Sequence, residues 1–200
     1  MLKRAFLFAI VAGLVLGAES VGREEIRLCQ FNIEDLRVEE IRDADSRRMR
    51  EVAEIIAAIR PDILLVNELE FSGGWGDQAG NPEAFDSAAE LAARLNSEFE
   101  RLGVEGMTYA GFAWGSNTGR DFDRNGGVGA EEGTREYGGD CFGYGEFPGQ
   151  YAMGLLVREG FEVIEGEVRT FARLRWASMP GALLPSGDGT RVPLEESWYT

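Results

Sequence analysis

Two apolar runs flank an amphipathic stretch in the first third of the chain. Ile26-Arg27-Leu28-Cys29-Gln30-Phe31-Asn32-Ile33-Glu34 and Asp62-Ile63-Leu64-Leu65-Val66-Asn67-Glu68 each read as a buried strand that ends in polar residues. Between them Met49, Val52, Ile55, Ile56 and Ile59 recur at helical spacing, with Asp45 or Ser46 as candidate cap and Pro61 as the stop. Asp35 to Ala44 reads as a charged connection. A strand, a crossover helix and a second, parallel strand bring Asn32 and Glu68 to one sheet edge, where α/β proteins open their crevices.

Further along, Phe71 to Pro82 is a loop rich in Gly, Asp and Asn. Phe85, Ala88, Leu91, Leu95, Phe99 and Leu102 then line one face of a second helix, closed by Gly103. Thr108 to Trp114 reads as a third strand, and 115–149 as a long Gly-rich insertion, unusual in a compact domain unless functional or held by a ligand. Tyr151 to Val157 and Phe161 to Phe171 read as a hairpin turned at Glu159-Gly160.

Composition narrows the class. Two hundred residues with 44% apolar content suffice for one domain with a core. Residues 1–20 place Lys3 and Arg4 before the apolar run Ala5 to Gly17 and the small-residue site Ala18-Glu19-Ser20, the pattern of a secretory signal peptide; an amino-terminal membrane anchor is the alternative. The expected mature segment, 21–200, is secreted or periplasmic, with no stable membrane span once the signal is removed. That removal takes away Lys3, Arg4 and Glu19, so the formal charge moves from −15 to −16 and no lysine remains. Such a field disfavours long duplex DNA as a partner, because affinity for it depends on Lys and Arg neutralising phosphates. Cys29 and Cys141 permit one intrachain disulfide, an expectation opposed by the strand position of one and the Gly-rich loop of the other.

Three groups of residues are candidates for chemistry. A carboxylate at the end of an apolar strand, Glu68, is costly to bury unless paired or metal-bound, and its hard oxygen suits Mg²⁺ or Mn²⁺; a solvated strand-end acid is the bland reading. Asn32 carries both a donor and an acceptor, as an orienting residue needs, although Asn at a strand end is also a common turn former. The segment from Asp121 to Glu132 fits the calcium-loop spacing D-x-[DN]-x-[DN]-G-x₅-E. There Asp121, Asp123 and Asn125 would offer side-chain oxygens, Gly127 a carbonyl and Glu132 a bidentate carboxylate. The flanks are not helical, so an ion-free polar loop stays open beside Ca²⁺. Arg120, Arg124 and Arg135 could meet an anionic substrate or pair with their acidic neighbours. Trp75, Trp114, Tyr137, Phe142 and Tyr144 could line a pocket or pin the loop to the domain.

The pair Asn32 and Glu68, the stretch from Asn117-Thr118-Gly119 to Phe147-Pro148-Gly149-Gln150-Tyr151-Ala152-Met153, and the ending Trp176 to Pro185 with Ser197-Trp198-Tyr199-Thr200 resemble the endonuclease/exonuclease/phosphatase superfamily, in a secreted bacterial branch. The resemblance implies a DNase I-like four-layer α/β sandwich and a divalent-metal-dependent phosphoesterase acting on a phosphodiester or phosphomonoester. It assigns Glu68 to Mg²⁺ or Mn²⁺ and Asn32 to the phosphate or its catalytic neighbours; Glu70 reads as a second ligand or a rim charge. The family also uses a D-x-N motif, a late Asp-His pair and a further His, whereas this chain has no histidine. On this reading the chain is roughly the first half of the domain and inactive by itself. A non-catalytic calcium-binding or interaction module on the same fold is the alternative.

Overall fold

The computed structural model describes residues 25–71, 86–121, 130–141, 143–164, 167–168 and 178–181. The signal-peptide expectation for 1–20 and the calcium-loop residues Asp123, Asn125 and Gly127 lie outside them, as do Trp75, Phe85, Arg124, Phe142 and 182–200. Residues 25–69, 87–113 and 154–163 form one compact unit, and the other described residues a second.

In chain order the elements are β1 (Leu28–Leu36), α1 (Val38–Arg42), α2 (Arg47–Ile59), β2 (Ile63–Leu69), α3 (Ser87–Leu102), β3 (Tyr109–Ala113), α4 (Arg135–Gly138) and β4 (Ala152–Arg158). The four strands make one mixed sheet in the order β1-β2-β4-β3, with β1 parallel to β2 and β3 antiparallel to β4. The expected strand, helix, parallel strand unit is therefore present.

Local chemistry explains α2. Ser46 caps it by accepting from the Met49 N–H at 3.2 Å. Arg60 closes it in the left-handed conformation, φ 53°, donating its N–H to Ile56 O at 2.8 Å before Pro61 forbids another turn. Met49, Val52, Ala53 and Ile56 are buried, as are Leu91, Leu95 and Phe99 of α3 and Phe31, Ile33, Leu64 and Val66 of the strands. Each large side chain of this core contributes about 1.5–3 kcal/mol by leaving water. The backbone of α3 comes so close to the sheet that a Cβ on Gly111 would stand 1.8 Å from Ala88 O, which only glycine allows.

Two expectations are corrected. The charged connection after β1 holds a short helix, α1, because Val38 and Ile41 are one turn apart and both find the core. The hairpin partner of β4 is not the following segment, for Phe161 to Ile164 has no strand; Gly160 turns the chain at φ 99° and β4 pairs instead with β3, Tyr109 opposite Arg158 and Ala113 opposite Gly154. Residues 169–171 of the expected second arm lie outside the described residues.

In the second unit, the described part of the Gly-rich insertion is held by its own backbone. Gly119 N donates to Gly143 O at 2.9 Å, Gly143 N to Asn117 O at 3.1 Å and Gly149 N to Thr118 O at 3.0 Å. Tyr137 donates its hydroxyl to Gly119 O at 3.2 Å, and Tyr144 stacks on Tyr151 with centroids 6.2 Å apart, so these aromatics serve the loop's own packing. Cys29 and Cys141 are both free thiols.

Candidate active site

The site is built where the regular ladder of β1 and β2 breaks. From Leu28 opposite Ile63 to Asn32 opposite Asn67 the parallel register is continuous. The next pair is Leu36 opposite Leu69, so Ile33, Glu34 and Asp35 of β1 stand against the single residue Glu68 of β2.

Strand alternation shows what this irregularity does. Phe31 and Ile33 are buried, so Asp35 would follow them inward; Leu64 and Val66 are buried, so Glu68 would do the same. The core instead receives Leu36 and Leu69, both 1% exposed or less. Glu34, Asp35 and Glu68 take left-handed backbone at φ 60°, 51° and 61°, and these turns invert the parity of each strand. Two acids are thereby kept out of the core at a conformational cost of about 1–3 kcal/mol for each left-handed residue.

Freed from the core, the Glu68 carboxylate meets Asn32. Asn32 Nδ2 donates to Glu68 Oε1 at 2.6 Å, and Asn32 Oδ1 accepts the Glu34 N–H at 2.8 Å. The carboxamide is thus fixed at both ends. One step back along the strands, Gln30 Nε2 donates to Asn67 Oδ1 at 2.8 Å. Since Gln30 and Asn32 lie on the face opposite Phe31 and Ile33, these four polar side chains share the face of the sheet turned away from that core.

Arg48 supports the bend from α2. Its guanidinium donates to the carbonyls of Ile33 and Glu34, the residues at the break in β1, and to Glu40 Oε2 at 2.8 Å. Nothing in the local sequence marks Arg48 for this role, because the acceptors at the break are backbone atoms 14 and 15 residues away. Left-handed Glu34 and Glu68 were equally hidden, whereas Asp35 is of a residue type enriched in that region.

Glu68 suits a hard divalent cation in donor type and position. It is half-buried, Asn32 orients one oxygen, and the other has no partner among the described residues. Among the described residues no group of three or more His, Cys, Asp or Glu side chains is placed to hold a metal. Magnesium is commonly held by one or two carboxylates, with water and substrate phosphate completing the shell, so a single strand-end carboxylate fits that mode.

The other candidates fall in the second unit. Asp121 forms an isolated antiparallel bridge with Cys141 and is half-buried, while Glu132 is exposed. Burial lowers the pKa of Arg120, and Arg135 opens α4 on the surface. Glu70 is half-buried.

Fold and site together define an α/β protein that presents a carboxylate oriented by a carboxamide where two parallel strands end. The model of the Endonuclease/Exonuclease/phosphatase family matches residues 29–197, and the chain belongs to that family. This is a superfamily of phosphoesterase-type hydrolases that generally use divalent metals, and the four-stranded mixed sheet with its helices is consistent with its DNase I-like fold. No curated protein and no solved structure matches the chain.

Proposed function

We propose that this protein is an exported, divalent-metal-dependent phosphoesterase hydrolysing a phosphodiester or phosphomonoester, with Glu68 as a ligand of Mg²⁺ or Mn²⁺. The observation that carries the proposal is the Asn32 to Glu68 hydrogen bond of 2.6 Å, made where the left-handed backbone of Glu68 turns its carboxylate away from the core. When bound, the cation would polarise a phosphoryl oxygen and neutralise charge on the leaving oxygen. Asn32 holds the carboxylate in one orientation, and the sheet face beyond receives the phosphate. A formal charge of −15 supports a small ester or a lipid headgroup over long duplex DNA. Export rests on the signal pattern of residues 1–20.

The chain has no histidine, so the family's Asp-His pair is not among these residues. These residues bind the cation and the phosphate, and proton abstraction falls to groups other than these. The chain should therefore bind Mn²⁺, followed by its paramagnetic resonance signal, and lose that affinity in Glu68→Gln, while hydrolysing neither p-nitrophenyl phosphate nor its diester. Equal Mn²⁺ affinity in the variant would overturn the role of Glu68; turnover by this histidine-free chain would overturn the assignment of proton abstraction to groups other than these.

The spacing from Asp121 to Glu132 supports a second ion, a structural Ca²⁺ in the loop, and with it the alternative of a non-catalytic calcium-binding module. Calcium should raise the melting temperature of the wild type and of Glu68→Ala but not of Asp121→Ala. The same calcium response in Asp121→Ala contradicts a loop site.

A further inference from the structure

We infer that Asn67, a residue to which neither the motif nor the family match gives a role, is the direct phosphate contact of this site, and that Gln30 sets the direction of its amide. The inference rests on the reading of Glu68 as a cation ligand and names the group that receives the substrate beside it.

Hydrogen-bond capacity separates the two asparagines that face each other across β1 and β2. Asn32 spends its oxygen on the Glu34 N–H and one N–H on Glu68. It acts through the carboxylate and is a positioning residue. Asn67 spends only its oxygen, on Gln30 Nε2. Its two N–H donors have no partner among the described residues, and the side chain is half-exposed. With its oxygen held by Gln30, Asn67 turns its nitrogen away from that residue, on the face that also carries Glu68. A carboxamide nitrogen adjoining a cation-binding carboxylate offers a neutral donor to an anionic oxygen, which complements a phosphate held by the metal.

Neither Gln30 nor Asn67 contributes to the core, since both occupy the face opposite Phe31, Leu64 and Val66. A hydrogen bond between two partly exposed side chains is weak support for folding. Its consistent physical use here is to choose which end of the Asn67 amide meets solvent.

Calorimetry on the chain tests this, titrating Mn²⁺ first and then inorganic phosphate into the Mn²⁺-loaded protein. In Asn67→Ala the Mn²⁺ affinity should stay within about twofold while phosphate binding weakens about tenfold, the effect of one hydrogen bond to a charged acceptor. Gln30→Ala, which frees the amide to rotate without removing it, should weaken phosphate by about threefold, a smaller loss of the same bond. Asn32→Ala should instead weaken Mn²⁺. Should the Asn67→Ala variant lose its melting transition, the near-isosteric Asn67→Leu carries the same expectation. Unchanged phosphate affinity in the Asn67 variant, parallel loss of Mn²⁺, or a Mn²⁺-loaded wild type that ignores phosphate would overturn the inference alone. A wild type that binds no Mn²⁺ would remove the reading of Glu68 as well.

Discussion

Leu36 faces Leu69 across β1 and β2 two residues out of step with Asn32 and Asn67. The slip places both leucines in the core and keeps the acids between the two registers out of it. Stability and site are therefore built by the same irregularity. The apolar groups gained inward offset the left-handed backbone needed to turn Glu68 outward.

Arg48 is predicted to hold this irregularity. Arg48→Ala removes donors from the carbonyls of Ile33 and Glu34 and from the Glu40 carboxylate. Urea unfolding should show a loss of about 1–3 kcal/mol, the range for a hydrogen-bonded charged group. Mn²⁺ binding should weaken as well, since Asn32 lies one residue before the bend. A stability change below the scatter of surface substitutions would show that the bend holds itself.

Glu34 is exposed and left-handed, φ 60°, and contributes its backbone N–H to Asn32. Glu34→Gly keeps that N–H and relieves the conformation. A gain of about 0.5–1 kcal/mol is expected after the added freedom of the unfolded chain is set against the strain. Thermal unfolding decides the matter, and a loss would mean that the Glu34 side chain has a stabilising partner.

An acid limb in the stability profile should trace to Glu98. Burial raises its pKa, but hydrogen bonds from Arg101 at 2.7 Å and Arg94 at 2.9 Å outweigh that and hold the carboxyl below its ordinary 4.5. Folding thus favours the ionised form. This contribution is complete above 4.5 and disappears as pH falls from there through the lowered folded value. Urea melts of Glu98→Gln should lose part of the difference between neutral pH and the acid side of that window. A variant with the wild-type pH dependence assigns the limb elsewhere.

Both thiols should be inert. Burial, then Asp140 and Asp121, push Cys141 up to about 11, and burial raises Cys29. Thiolate is the reactive form, so alkylation by iodoacetamide in the native state at neutral pH should be much slower than in urea. Native labelling as fast as unfolded labelling contradicts this placement.

What the sequence disclosed was local and periodic. The apolar runs, the Ser46 cap and the stop at Pro61 specify β1, α2 and β2 and bring Asn32 and Glu68 together. Five residues of α1 are too few for a period to appear among charges. The pairing of β4 with β3 spans the whole Gly-rich insertion, whereas the sequence favoured a neighbouring partner across Gly160. Left-handed Glu34 and Glu68 carry no residue-type signal and Asp35 only a weak one, so the parity inversion and its support from Arg48 required the backbone itself. Asn67, inside an apolar run beside the more conspicuous Glu68, drew no separate assignment.

If Asn32 and Glu68 hold a divalent cation as one unit, a double-mutant cycle on Mn²⁺ affinity will show the coupling. Loss of an outer-shell partner commonly costs about 10–100-fold in metal affinity, so Asn32→Ala should fall in that range and Glu68→Gln should lose at least as much. The double variant should bind no more weakly than Glu68→Gln alone, because Asn32 works through the carboxylate. Independent, additive losses would contradict it.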